Sequence, residues 1–129
     1  MTDLTDRYTR GAARLSEVDG AAGEAVIEAL KDIAPDLARY VIEYPFGDVY
    51  SRPGLTLKQR QIATIAMLAA MGNAAPQLKV HIHAALNVGV SQAEIVEVFI
   101  QVSVYAGFPA AINAVLAAKE VFTEWNGGA

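Results

Sequence analysis

The sequence predicts an all-α protein. From residue 56 onward, apolar residues recur at helical spacing, and the period-two alternation typical of strands is not sustained anywhere. Glycine and proline residues fall between the apolar stretches, where they end one helix and begin the next. With 129 residues, 53% of them hydrophobic, the chain is long enough to form one domain with its own core.

The first part of the chain predicts short helices and a loop. The helices are predicted over residues 13–18, 24–30 and 35–43, and the last of them begins at a proline, which is favoured in a first helical turn. Residues 44–54 contain two prolines and two glycines and predict a structured loop. Because this loop is rich in aromatic side chains, we expect it to carry function.

The second part predicts four longer helices, over residues 57–71, 76–87, 91–105 and 109–124. The first of them is apolar nearly all round, which is typical of a central helix. Ser91 and Glu94 have the spacing of a capping box at the start of the third helix. Gly107 ends that helix, and Pro109 begins the last one.

The composition excludes several classes of function. The chain has no cysteine, which excludes disulfides, thiolate nucleophiles and cysteine-ligated zinc. Its net charge of −4 argues against a nucleic acid as a partner. Residues 98–118 carry no charge, but Gly107 and Pro109 interrupt them, so they do not predict a membrane span. We expect a cytoplasmic protein with neither a signal peptide nor a membrane segment.

Charged side chains are concentrated in the first 60 residues, which carry 8 basic and 10 acidic residues. Residues 61–129 carry only two lysines and four glutamates. A monomer of this size exposes too much surface to be covered by so few charges. We therefore expect this second part to be wrapped by the first part, buried against other subunits, or both.

Both histidines of the chain lie in the helix predicted over residues 76–87. His81 and His83 are two positions apart, so their rings point about 200° from each other and cannot ligate one metal ion together. The sequence therefore predicts no metal site. Taken alone, His81 is more typical of a structural histidine than of a catalytic one.

Three polar residues share one face of the helix over residues 91–105: Glu97, Gln101 and Tyr105. Buried polar groups need partners, so this row lies either in water or along a polar cavity, and the residues alone leave both interpretations open. Arg60, at the start of the central helix, and Arg52, in the aromatic loop, leave a similar choice. Each is either part of a surface ion pair or a bidentate clamp for a carboxylate.

Two segments resemble the carboxymuconolactone decarboxylase family: FGDVYSRPGLTLKQRQIATIAMLAAMG and LKVHIHAALNVGVSQAEIVEVFIQVSVYAGFPAAINAV. The resemblance covers nearly the whole chain, with residues 25–124 as the family core, residues 1–24 as an N-terminal arm, and 1–129 as a single domain. It implies an AhpD-like helical fold and a homo-oligomeric ring, a trimer or a hexamer. Such a ring would account for the charge-poor second part.

The resemblance also shows where this chain departs from relatives. The AhpD-like branch uses a CxxC pair ahead of a histidine that matches His81, and the two cysteine positions fall at Ala74 and Gln77. Without thiols, thiol peroxidase activity by that route is chemically impossible. Many relatives have a glutamate directly after the arginine that matches Arg60, and here that position is Gln61. If that carboxylate relays a proton in them, this protein must use another group.

The activity that the resemblance implies is decarboxylation of a carboxylated lactone of the 4-carboxymuconolactone type, in degradation of aromatic compounds. Loss of CO2 pushes electrons through the unsaturated lactone ring, so neither a metal nor an organic cofactor is required. The enzyme must hold a small organic acid, stabilise an oxyanion and deliver a proton to carbon.

The resemblance and this chemistry together assign roles to the candidate residues. We expect His81 to donate the proton, Arg60 or Arg52 to hold a carboxylate, and Tyr105 with Gln101 to bind the oxyanion. The remaining substrate-binding candidates are Glu97, Tyr50 and Phe46.

Two other classes of function remain open. One is a related lyase, isomerase or hydrolase that acts on another small oxo-acid. The other is a non-catalytic oligomer that binds a small molecule. Two arginines beside a small polar pocket would favour the decarboxylase, whereas a pocket filled by Phe46 and Tyr50 would favour the binding protein.

Overall fold

The computed structural model describes residues 3–127 of the chain, and their side chains from residue 6 onward. All regular elements in this range are helical, which confirms the all-α prediction. They are α1 (Asp3–Val18), α2 (Gly20–Leu30), α3 (Pro35–Val41), a π-helix (Ile42–Val49), α4 (Leu57–Met71), α5 (Ala75–Asn87), α6 (Gln92–Tyr105) and α7 (Phe108–Trp125). None of these helices is both long enough and apolar enough to cross a membrane.

The chain forms two compact units, which divide between Leu57 and Lys58. In the first unit, α1 packs lengthwise against the π-helix. A Cβ atom on Gly11 would overlap the carbonyl of Ile42, and one on Gly47 would lie 2.6 Å from the carbonyl of Arg7. The absence of a side chain at these two glycines is therefore what lets the two backbones approach closely.

An ion pair stabilises the contact between α1 and the π-helix near the start of α1. The Arg7 Nε donates to both carboxylate oxygens of Asp48 at 3.0 Å, and the Arg10 Nε donates to the carbonyl of Gly47 at 2.7 Å. The hydrogen bond and charge of Asp48 raise the pKa of Arg7 above its ordinary value. These polar contacts fix the first part of α1 on the π-helix, next to the close backbone contact at Gly47.

The first unit corrects the predicted starts of two helices and the predicted loop. The first helix begins at Asp3 rather than at residue 13, and the second at Gly20 rather than at residue 24. In α1, the buried residues Gly11, Leu15 and Val18 recur at helical spacing. Residues 44–49, predicted to be a loop, form most of the π-helix instead. Its wide turn is seen where the Tyr50 N–H donates to the Pro45 carbonyl, five residues back, at 2.7 Å.

The second unit is built from α4 to α7 around a core of aliphatic side chains and Phe99. Its large, fully buried members include Ile65, Ile82, Ile95 and Phe99. The predicted capping box at Ser91 and Glu94 is confirmed, since each residue's side chain bonds to the backbone of the other. Between α6 and α7, Gly107 adopts a φ of 96°, a conformation that favours glycine. This core positions α4 and α5, which carry the candidate site.

Candidate active site

The imidazole of His81 is half-buried on α5 and lies against α4. Its Nδ1 is 3.2 Å from Oε1 of Gln61, and both residues belong to the second unit. Burial lowers the pKa of His81 from its ordinary value to about 4, because the charged form loses its hydration. The ring is therefore neutral at pH 7.

Gln61 is a component of the site that the sequence predictions did not include. Its side chain is completely buried, and its Nε2 has no hydrogen-bond partner among the described residues. A helical pattern would have found it, since Gln61, Ile65 and Ala69 recur every four residues and are the buried residues of α4. Gln61 is the polar member of this apolar stripe.

Arg60 precedes Gln61 on α4 and is half-buried, with its Nε atom shielded from solvent. The hydroxyl of Thr64, one turn later, donates to the backbone carbonyl of Arg60 at 2.8 Å. Arg60 is adjacent in sequence to the residue that contacts His81. This is the arginine that the second unit offers for binding a carboxylate.

The polar row on α6 lies on the exposed side of the second unit. Gln101 and Tyr105 line a groove of about 290 Å³, together with small and aliphatic residues of α4 and α6. Glu97 is exposed and is not part of the groove lining. Tyr105 is 94% exposed, so within a single chain its hydroxyl is open to water at the end of a largely apolar groove.

The predicted site residues of the first unit have different surroundings. Phe46 is 4% exposed and packs edge-on against Tyr50, with ring centroids 5.0 Å apart. The hydroxyl of Ser51 donates to the Phe46 carbonyl at 2.8 Å. Arg52 is exposed. Phe46 thus belongs to the core of the first unit and presents almost no surface to a ligand.

A larger cavity of about 890 Å³ lies in the first unit, where α1, α3 and the π-helix meet. Its two arginines are already paired, Arg7 with Asp48 and Arg39 with both Asp36 and Glu43. None of the predicted site residues lines it. We place the candidate active site at His81 and Gln61 despite the greater size of this cavity, because the perturbed imidazole and the buried amide are there.

His83, the second histidine of α5, contacts a different helix from His81. The Nε2 of His83 lies 2.9 Å from a carboxylate oxygen of Glu124 on α7, whereas His81 contacts α4. The two rings therefore point to different helices, as their spacing predicted. Among the side chains of residues 6–127, no three histidine, aspartate or glutamate residues are grouped closely enough to hold a metal ion.

Together, fold and site define a helical protein equipped for acid–base chemistry by an imidazole rather than a thiol. A family model described as the carboxymuconolactone decarboxylase family matches residues 35–120. The chain belongs to this family, whose fold is all-α and AhpD-like.

Two of three similar proteins have names that state the reaction they catalyse. The chain is 36% identical over 119 residues to a 4-carboxymuconolactone decarboxylase of Acinetobacter baylyi, covering 92% of this chain and 88% of that protein. It is 32% identical over 99 residues to an uncharacterised 15.0 kDa protein of Paracoccus denitrificans, covering 76% and 74% of the two chains. It is 30% identical over 109 residues to a nitrosuccinic acid decarboxylase of Metarhizium robertsii, covering 82% and 76%. The chain is accordingly a carboxy-lyase of this family.

Proposed function

We propose that the protein is a cofactor-independent decarboxylase of a small carboxylated lactone of the 4-carboxymuconolactone type, in the degradation of aromatic compounds. The observation that carries this proposal is the half-buried, neutral imidazole of His81, held by the amide of Gln61 in a chain that has no cysteine. The similarity over 92% of the chain to a 4-carboxymuconolactone decarboxylase supports the choice of substrate.

The reaction needs few groups. The bond between the carboxylate carbon and the γ-carbon of the lactone breaks, and CO2 leaves. The released electron pair moves through the conjugated ring to oxygen, and a proton then adds to the α-carbon. The barrier falls when the enzyme stabilises the oxyanion and supplies that proton from a positioned side chain.

His81 is the group that moves the proton. Because its ring is neutral at pH 7, it first takes up a proton and then gives it to the α-carbon. This refines the expectation that His81 acts simply as a donor. An anionic substrate beside the ring favours that uptake, since a nearby negative charge raises the pKa of an imidazole.

Arg60 is the group that holds a carboxylate of the substrate. Its planar guanidinium matches two carboxylate oxygens at once, which a lysine ammonium does not. Arg60→Lys therefore retains the charge and loses the paired geometry. We expect this variant to raise KM about 10-fold or more, the effect of losing one charged hydrogen bond of about 1.5 kcal/mol.

A second substrate class has the support of one relative. Nitrosuccinic acid, named for the relative that is 30% identical, is a dicarboxylic acid that carries an electron-withdrawing nitro group. Its decarboxylation and that of 4-carboxymuconolactone both leave electrons on a group able to accept them. The same pocket chemistry therefore serves either acid.

The test is the decrease in ultraviolet absorbance of 4-carboxymuconolactone with the purified protein, measured in parallel with nitrosuccinate. We expect the wild-type protein to consume the lactone faster than buffer does. A lactone rate equal to that in buffer, with turnover of nitrosuccinate, would assign the second class instead. No turnover of either acid would contradict the proposal.

A further inference from the structure

The contact between Gln61 and His81 indicates a specific role for the Gln61 amide. We propose that Gln61 is a positioning residue that selects the tautomer of His81: its Oε1 accepts a hydrogen bond from Nδ1–H, which leaves the lone pair on Nε2. The inference that this tautomer serves decarboxylation rests on the proposed function, whereas the tautomer itself does not.

The chemistry of the amide explains the selection. A neutral imidazole has one N–H donor and one acceptor nitrogen, and the side-chain oxygen of glutamine only accepts. With Gln61 Oε1 at 3.2 Å from Nδ1, the hydrogen must therefore lie on Nδ1. A carboxylate at this position would select the same tautomer, but its negative charge would also raise the pKa of the ring. The amide orients the imidazole and leaves it neutral.

The burial of Gln61 indicates that the amide has a role beyond packing. Its side chain is 0% exposed, and its Nε2 has no hydrogen-bond partner among the described residues. An unsatisfied buried donor destabilises the folded chain, and a methionine or leucine of similar size would avoid that cost. The other end of this amide bonds to the imidazole, and that bond is what an apolar side chain could not provide.

Most charged side chains of α4, α5 and α6 are engaged in contacts of their own. On α5, Lys79 and His83 bond to Glu120 and Glu124 of α7. On α4 and α6, Lys58 and Glu94 approach each other at 3.5 Å, and the remaining charged residues of these two helices are Arg60 and Glu97. Burial, rather than a charged neighbour, is the cause of the lowered pKa of His81.

The tautomer of His81 determines which ring nitrogen takes up and delivers the proton. Nε2 is the nitrogen that takes up a proton from water, which gives an imidazolium with Nδ1–H still bonded to Gln61. After CO2 leaves, the same Nε2–H donates that proton to the α-carbon, and the ring returns to its starting tautomer. One proton is taken up and one is delivered, so the histidine is unchanged after each turnover.

Nitrogen NMR of the protein labelled with ¹⁵N-histidine tests the proposal directly, because the chain has two histidines. At pH 7 we expect the Nδ1 of His81 to carry a hydrogen and its Nε2 to carry none. His83, whose Nε2 faces Glu124, is the internal reference and should show hydrogen on Nε2. A His83→Asn variant assigns the signals. A wild-type His81 with hydrogen on Nε2, the result of a rotated Gln61 amide, would overturn the proposal.

Two variants test the role of the amide. Gln61→Met keeps the side-chain length and removes the acceptor, so His81 should lose its single tautomer and kcat should fall roughly 10- to 100-fold. Unlike Gln61→Met, Gln61→Glu should keep the Nδ1–H form, and its negative charge should raise the pKa of His81. Gln59→Met, on the exposed side of the same helix, is the matched control and should leave both the spectrum and kcat unchanged.

The readouts separate the two proposals. Because the spectrum needs no substrate, the expected tautomer in a protein that consumes neither acid would uphold the role of Gln61 and refute the proposed function. An unchanged His81 tautomer in folded Gln61→Met would overturn the role of Gln61, whatever the activity.

Discussion

His81 and His83 stand two residues apart on α5, yet each is bonded through a different ring nitrogen to a different helix. His81 uses Nδ1 toward Gln61 on α4, and His83 uses Nε2 toward Glu124 on α7. The pair therefore offers one imidazole in the candidate site and one on the surface, within the same helix.

This pair gives a matched test of the proposed catalytic role of His81. His81→Asn removes the proton carrier, and we expect kcat to fall by about 10² to 10⁴, the usual contribution of a positioned acid–base group. His83→Asn removes a surface contact and should retain wild-type kcat. Steady-state rates on the lactone measure both. A His81→Asn enzyme as active as the wild type would eliminate His81 as the proton carrier.

The buried imidazole also makes stability depend on pH. The pKa of His81 is about 4 in the folded chain and near 6.5 when unfolded, so the unfolded chain binds more protons between these values. The contribution of His81 to folding is complete above pH 6.5 and is lost as the pH falls toward 4, by on the order of 3 kcal/mol. Urea unfolding of wild type and His81→Asn from pH 4 to 8 should show this difference. Parallel curves would contradict it.

Asp19 has the opposite effect in the first unit. Asp19 is 5% exposed and its side chain lies against Gly23, and burial raises the pKa of its carboxyl group to about 7. Ionisation of Asp19 therefore destabilises the fold as the pH rises from about 4 to 7. We expect Asp19→Asn to be more stable than wild type at pH 8, by on the order of 4 kcal/mol, with the gain vanishing near pH 4. Thermal unfolding at both pH values decides, and a less stable variant at pH 8 would refute this.

The second unit leaves an apolar surface uncovered in the single chain. Its exposed large side chains on α6 and α7 include Ile100, Val104, Phe108, Ile112 and Leu116. Exposed large apolar side chains at this density mark interaction surfaces, and we propose that a second copy of the chain covers them. Sedimentation should show a homo-oligomer at micromolar concentration, and Ile112→Glu should dissociate it. A wild-type monomer would contradict this proposal.

Sequence patterns predicted those helices whose boundaries are set locally. The Ser91 capping box and the glycine at 107 act within a few residues, so the start and end of α6 followed from spacing alone. His81 was singled out through the family resemblance rather than by its local pattern. The unit to which each candidate residue belongs depends on tertiary packing, which is why Phe46 was predicted beside a ligand and is found in a core.

Two features depend on contacts that local patterns do not show. The prolines and glycines of residues 44–54 favour a turn, but Ile42–Val49 forms a π-helix whose backbone lies against Gly11 of α1. Gln61 was noted only as a departure from the glutamate of relatives. Its burial follows from the stripe it shares with Ile65, and its bond to His81 joins residues twenty apart in the chain, which no local pattern shows.

The π-helix makes the first unit sensitive to the length of one segment. A π-helical turn arises when an α-helix gains a single inserted residue. Deleting one residue between positions 42 and 47 would favour ordinary α-helical turns and would change how this segment packs on α1, where Asp48 pairs with Arg7. The segment is therefore sensitive to its number of residues as well as to the identity of Gly47, where a Cβ atom would lie 2.6 Å from the carbonyl of Arg7.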